Sequence, residues 1–251
     1  AVDKAVRFWE EAIGVWKTDQ GEIAGVVCPD EFVPWHTSYG QAFLQRCPGH
    51  DEHLLPEMLE YAVQNLTRRD RCRIYVGEHD HALARVAADK GFIRDENPCI
   101  IYREFDLSTL PVPELPPGHT IQSMADGLDL DKLREVGGRS FNHPDPRDWP
   151  TLRSYESWMT APDYRPELHL AVVRPDGELV ASTCGWIDMY NHLATVEPLG
   201  SIQLGMGREV LMEALRRMRD MGAVKAHMDA GIRFYAKVGF KDQFKTYRWV
   251  K

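Results

Sequence analysis

The sequence predicts an α+β fold of two tandem domains, each a mixed, mostly antiparallel sheet flanked by helices. Three observations predict it. Residues 107–119 hold four prolines and a glycine, a stretch that fits neither a helix nor a central strand. Strand-like runs on both sides alternate with turn residues and with segments of helical periodicity. The order of these segments also repeats across the proline stretch. The domains are therefore expected at 1–108 and 118–251, joined by a Pro-rich linker at 109–117.

In the C-terminal half, residues 169–174 read as a strand. Pro175-Asp176-Gly177 reads as a turn, and residues 178–186 as the returning strand of a hairpin. Asn191-His192 makes a second turn before a strand at 193–200. Gly205-Met206-Gly207 then precedes a helix reaching about Met221. In it Val210, Leu211, Ala214, Leu215 and Met218 recur at helical spacing with arginines between them. A strand at 223–228, a helix at 232–238 and a strand at 244–250 complete the half.

The N-terminal half shows the same order. Residues 21–27 parallel 177–180, the amphipathic run 55–66 parallels 210–221, and Lys90-Gly91-Phe92 parallels Val238-Gly239-Phe240. Near-equal separations across several segments favour duplication over two unrelated α/β domains.

Bulk properties narrow the function. The 251 residues suffice for two ordinary cores, and 43% hydrophobic with 27% charged residues is a soluble globular composition. A net charge of -8 argues against nucleic-acid binding. Five cysteines without C-x-x-C spacing argue against a disulfide framework and a zinc knuckle, and fit reduced thiols. No apolar run approaches the roughly 20 residues that span a bilayer. The opening residues are amphipathic and charged, unlike a secretory signal. A cytoplasmic protein without membrane or nucleic-acid partners, monomeric or homodimeric, is expected. Histidine pairs 50/53 and 79/81 lack a third ligand, so no metal is expected.

Three segments carry a family resemblance: Val196-Glu197-Pro198-Leu199-Gly200 ending a strand, Gly205-Met206-Gly207-Arg208 opening a helix, and Phe234-Tyr235-Ala236-Lys237-Val238-Gly239-Phe240 near the C-terminus. In this order they resemble the GNAT acetyltransferase superfamily over about residues 118–251. The whole chain looks like tandem GNAT proteins in a mycothiol-synthase-like two-domain arrangement, with the N-terminal half a degenerate copy. The resemblance implies acetyl-CoA as donor substrate and an N-acyltransferase acting on the amine of a small molecule or peptide. It implies a cofactor site at Leu199, Gln203, Leu204, Gly205, Met206, Gly207 and Arg208. A helix N-terminus behind glycines supports this independently, because it offers backbone N–H groups and partial positive charge to a pyrophosphate.

Glu197 is the candidate base and Tyr235 the candidate acid for the leaving sulfur. Each also has a purely structural reading, as a strand carboxylate and as a packed helix tyrosine. Asn142, Trp186 and Asp188 are candidates for acceptor binding, with Trp186 and Asp188 on one strand face. Two departures from the family pattern matter. Ile202 stands where members carry Gln or Arg, and the links 197–205 and 228–231 are short. In the first half, residues 46–52 hold one glycine, a proline and two acidic residues where a phosphate loop belongs. The alternative function is a non-catalytic acyl-CoA-binding or interaction protein built from decayed GNAT domains.

Overall fold

The structure is a computed structural model that describes residues 12–29, 41–47, 49, 51–229 and 233–251. The amphipathic opening, Pro48 and His50 of the 46–52 segment, and Ala230, Gly231 and Ile232 lie outside the described residues. The elements run β1 (Gly14–Lys17), β2 (Ile23–Pro29), β3 (Gln41–Arg46), α1 (Asp51–Leu66), β4 (Arg73–Gly77), α2 (His81–Asp89), β5 (Ile93–Arg94) and β6 (Ile100–Asp106). They continue β7 (Thr120–Ser123), α3 (Leu130–Ser140), α4 (Leu152–Met159), β8 (His169–Val173), β9 (Leu179–Asp188), β10 (Leu193–Ser201), α5 (Met206–Asp220), β11 (Lys225–Met228), α6 (Arg233–Val238) and β12 (Lys241–Val250).

Two compact units result. The first comprises residues 1–102 with 243–251, the second residues 103–242. The first unit orders its strands β1-β2-β3-β4-β12, with β5 also on β12. Its β1, β2 and β3 are antiparallel, whereas β3 and β4 run parallel with α1 as the crossover. Leu55, Met58, Leu59, Ala62 and Leu66 of α1 recur at helical spacing and are buried against Val27, Ala42 and Ile74 of the sheet.

The second unit repeats this plan. Its strand order runs from the last four residues of β6 through β11-β10-β9-β8 to β7. The β7–β10 strands are antiparallel, and β10 and β11 are parallel with α5 as the crossover. Val210, Leu211, Ala214, Leu215 and Met218 of α5 are fully buried, as their spacing predicts. In each unit the strand beyond the parallel pair is antiparallel and comes from the far end of the sequence: β12 beside β4, β6 beside β11.

The proline stretch forms no helix or strand. It is packed down on the second unit rather than hanging free: Leu107 is buried in that core, Leu110 and Leu115 lie against it, and the Glu114 N–H donates to Glu209 at 2.6 Å.

Leu211→Ala should destabilise the second unit by about 2–5 kcal/mol through loss of buried contacts and the cavity left behind. Leu204→Ala, at a fully exposed position, should stay within about 0.5 kcal/mol. Chemical denaturation of both variants checks the contrast.

Candidate active site

The site begins with a break in β10. Residues Leu193–Val196 pair with Asp188–Gly185 of β9, and Leu199–Ser201 with Thr183–Ala181. Two residues, Glu197 and Pro198, therefore oppose the single Cys184. Proline has no N–H to give the ladder, so the strand bulges there. Both bulge carbonyls are held by side chains of β9: the Trp186 indole N–H donates to Glu197 O at 2.8 Å, and the Thr183 hydroxyl to Pro198 O at 2.9 Å.

On its other edge β10 pairs with β11 only from Leu193 to Thr195, opposite Lys225–His227. Beyond Thr195 the two parallel strands have no ladder between them, and with β11 ending at Met228 the pairing is open at the level of the bulge. Glu197 faces this region, as does Asp229 just after β11. Lost hydration lifts the Glu197 carboxyl above its ordinary pKa, and the Asp229 charge lifts it further. Tyr235, on the first turns of α6, is buried in the core, and its pKa is pushed up to about 12 by burial, with Glu197 and Asp229 adding to it. Its ring packs against Phe234 and Phe240. Its hydroxyl makes no hydrogen bond among the described residues, where no buried side-chain oxygen is both sealed and unpartnered, so that hydroxyl is not fully sealed.

The turn after β10 leads into α5. The Gln203 carbonyl accepts from Ser201 Oγ at 2.7 Å and from the Met206 N–H at 3.2 Å. Gly205 is the N-cap, at φ +89°, where a side chain is strained, and a Cβ on it would meet open space. No side chain caps the helix. These features suit an anion at the helix end. Arg208 stands in the first turn, but its guanidinium pairs at 2.7 Å with Glu209, whose buried carboxylate also accepts the Glu114 N–H. Leu204 is fully exposed, Met206 is buried, and Leu199 packs partly into the core, so Met206 and Leu199 offer a ligand their backbone. The Gln203 amide lies 3.4 Å from His119 Nε2.

Across β10 lies a cavity of about 370 Å³ under α3 and α4. Gly137 and Gly138 let its roof close down: a Cβ at Gly137 would meet the Tyr155 hydroxyl at 2.9 Å, and one at Gly138 would run into the Trp149 indole. The floor comes from β8 and β9, with His169 and Ser182. A neighbouring groove of about 500 Å³ shares Pro150, Tyr155 and Pro198 with it and reaches Trp158, Trp186 and Glu197. The aromatic rings are mutually packed: Trp158 lies 5.6 Å from Trp186, 5.7 Å from Tyr155 and 5.2 Å from His169, centroid to centroid.

Of the candidate acceptor residues, Trp186 lines this groove. Asp188 lies at the β9 hairpin end, where its carboxylate accepts from the Tyr190 and Asn191 N–H groups and the Asn191 amide. Asn142 is exposed just after α3, in a left-handed conformation at φ +61°. The structure thus brings together Glu197, Tyr235 and Trp186 around the bulge, with residues 199–208 leading away to the helix end. His169, Tyr155, Trp158 and Trp149 are additions that strand reading did not single out. The density of aromatics between 149 and 169 is the sequence signal that marks them. Among the described residues no group of three His, Cys, Asp or Glu side chains suits a metal, and no helix is long and apolar enough to cross a membrane.

No family model matches the sequence. The chain is 27% identical over 242 residues to a mycothiol acetyltransferase of Thermomonospora curvata, covering 88% of this chain and 76% of the relative. It superposes on a GCN5-related N-acetyltransferase from Sphaerobacter thermophilus with a TM-score of 0.65 at 19% identity, over 100% of this chain and 85% of that one. A tandem GNAT protein from the clavulanic acid biosynthesis pathway gives a TM-score of 0.62 at 16% identity, over 96% and 83%. The fold is therefore GNAT-like: α+β, a mixed sheet flanked by helices.

Because folding raises the Glu197 pKa, the folded state holds that proton more tightly than the unfolded one. The resulting stability is complete below the ordinary Glu value near pH ~4 and is lost as pH rises through the folded value. Glu197→Gln should therefore raise the thermal midpoint near neutral pH, with the gain vanishing below about pH 4. Melting curves across pH check this.

Proposed function

We propose that the chain is a tandem GNAT protein that transfers the acetyl group of acetyl-CoA to an amine, with the chemistry in its second unit. The observation that carries this reading is the opening beside the β10 bulge. It has Glu197 on one strand, Tyr235 on the following helix, and the uncapped N-terminus of α5 at the end of the same turn. The acetyltransferase relatives of similar fold support it, and the repeated strand plan of the two units supports the tandem arrangement.

The residues fit the parts such a transfer needs. The α5 N-terminus, with Gly205 clear of any Cβ and Arg208 beside it, suits the donor's pyrophosphate. Leu199 follows the bulge, so its backbone stands beside the reacting centre. Glu197, with its raised pKa, accepts the proton that the amine nitrogen gives up as the N–C bond forms, and passes it to solvent. The C–S bond breaks, and the sulfur leaves as a thiolate. Tyr235 is a hydrogen-bond donor to that sulfur rather than its proton source. At about 12 its pKa lies well above that of a thiol, ordinarily ~8.5, so it remains neutral and donating throughout.

The first unit has the matching place closed. There β3 pairs with β4 only at Gln41 and Ala42. Arg46 at the end of β3 reaches Asp80, the N-cap of α2, with two bonds of 3.0 and 2.8 Å. That unit serves as scaffold.

One feature favours the second reading, a decayed acyl-CoA-binding protein: the Glu209 carboxylate sits in the first turn of α5, where negative charge opposes a bound phosphate. Calorimetric titration with acetyl-CoA separates the two when paired with amine turnover. The transferase reading expects saturable binding lost in Gly205→Asp. It expects Glu197→Gln and Tyr235→Phe to bind normally while kcat falls about 10²-fold or more. Binding without turnover on any amine leaves the decayed protein.

A further inference from the structure

The cavity under α3 and α4 has a chemistry of its own. His169 is 3% exposed and Ser182 8%, and both face into it. His169 Nδ1 lies 3.1 Å from the Tyr164 hydroxyl. Its Nε2 and the Ser182 hydroxyl have no partner among the described residues, yet neither atom is sealed off. Buried polar groups without protein partners cost stability unless something else meets them. Here both line a chamber that Phe141, Trp149 and Tyr155 also line.

The lining also carries carboxylates, with His143 beside them in the cavity wall. Asp148 lies at the cavity and Glu197 in the groove that joins it, and neither set of lining residues includes a lysine or an arginine. The groove holds Trp158 and Trp186 beside the Glu197 carboxylate, an arrangement that attracts a cation to ring faces. The deeper part holds Phe141, Trp149 and Tyr155, whose surfaces suit a flat uncharged body. A carboxylate or phosphate there loses its hydration beside acidic side chains.

We propose that this cavity selects an acceptor that is a monocationic amine carrying an uncharged ring with one hydroxyl. The ring lies among Phe141, Trp149 and Tyr155, the hydroxyl meets His169 Nε2 or Ser182, and the amine lies in the groove toward Glu197. This rests on the amine-transfer reading above, since that reading makes Glu197 the destination of the nitrogen. Acceptors bearing an acidic group are disfavoured by the carboxylates of Asp148 and Glu197, and the nearest guanidinium, Arg134 at the Trp149 ring, is already bonded to the Pro146 and Pro150 carbonyls. The imidazole suits its part because burial holds its pKa down at about 4, so it stays neutral and does not repel the amine.

The test uses the full chain and three probes that differ by one group each: tyramine, phenethylamine without the hydroxyl, and tyrosine with an added carboxylate. Calorimetry without acetyl-CoA should find saturable tyramine binding. Phenethylamine should bind several-fold more weakly, and tyrosine at least tenfold more weakly. His169→Phe should abolish the preference for tyramine over phenethylamine, and Trp158→Ala should weaken both. Tyrosine binding as tightly as tyramine, or no saturable tyramine binding, overturns the proposal on the unaltered protein, whatever the variants do. Tyramine binding with no turnover of tyramine or of any other amine supports the cavity assignment and overturns the transferase reading. Acetylation confined to amines outside this class, with tyramine unbound, leaves transfer standing and overturns the cavity assignment.

Discussion

A proline in the middle of a strand organises the second unit. Pro198 cannot donate to the ladder, so β10 must carry an extra residue against β9. A bulge of this kind survives only if the carbonyls it displaces find other donors. Trp186 and Thr183 supply them. The price of that solution is that two β9 side chains are committed to holding the backbone of β10. The consequence is geometric: beyond Thr195 the strand bends out of register with its neighbours. The opening toward α6 and the cavity toward α4 then lie on its two sides, joined at Glu197. The Trp186 indole that steadies the bulge is also a wall of the groove. Support of the backbone and contact with a ligand thus fall to the same ring.

The first unit shows what the same plan does without that opening. Strand β3 also outruns its parallel partner β4, so the two strands part in the same place. There the gap is crossed by Arg46 and Asp80, half-sheltered and doubly bonded. A paired guanidinium and carboxylate leave no free charge to steer an anion, and Asp80 spends its remaining capacity capping α2 through the Leu83 N–H. The strand plan and the side chains set on it are therefore separable. The packing of α1 and α5 repeats, and the chemistry at the ends of β3 and β10 does not.

Much of this was legible in the sequence because it rests on local periodicity and turn chemistry. The α5 core stripe and the hairpin at Pro175-Asp176-Gly177 follow from spacing and residue type alone. The parallel placing of residues 91 and 239 reflects glycines that both end a helix at positive φ. Other features depend on contacts that spacing does not encode. Trp186 and Asp188 share a strand face, but Asp188 lies at the strand end, where the turn's N–H groups capture its carboxylate. His169 looks like an ordinary strand residue until α4 is laid over it, and that closeness depends on Gly137 and Gly138 of another helix. The exchange of β6 and β12 is equally non-local: a strand's alternation says which face is buried, not which neighbour it joins.

The charge states around the bulge follow from the same burial. His169, Cys184 and Tyr235 flank it and are all removed from water. Burial drives each toward its neutral form, the imidazole down to about 4, the thiol up to about 12 and the phenol up to about 12. None of the three changes charge between about pH 5 and 9. Glu197 behaves differently because it keeps a path to solvent. Its pKa is raised by lost hydration and by the Asp229 charge, toward the proton affinity of a working base. The environment that silences those neighbours thus leaves Glu197 as the carboxylate that also borders the aromatic groove.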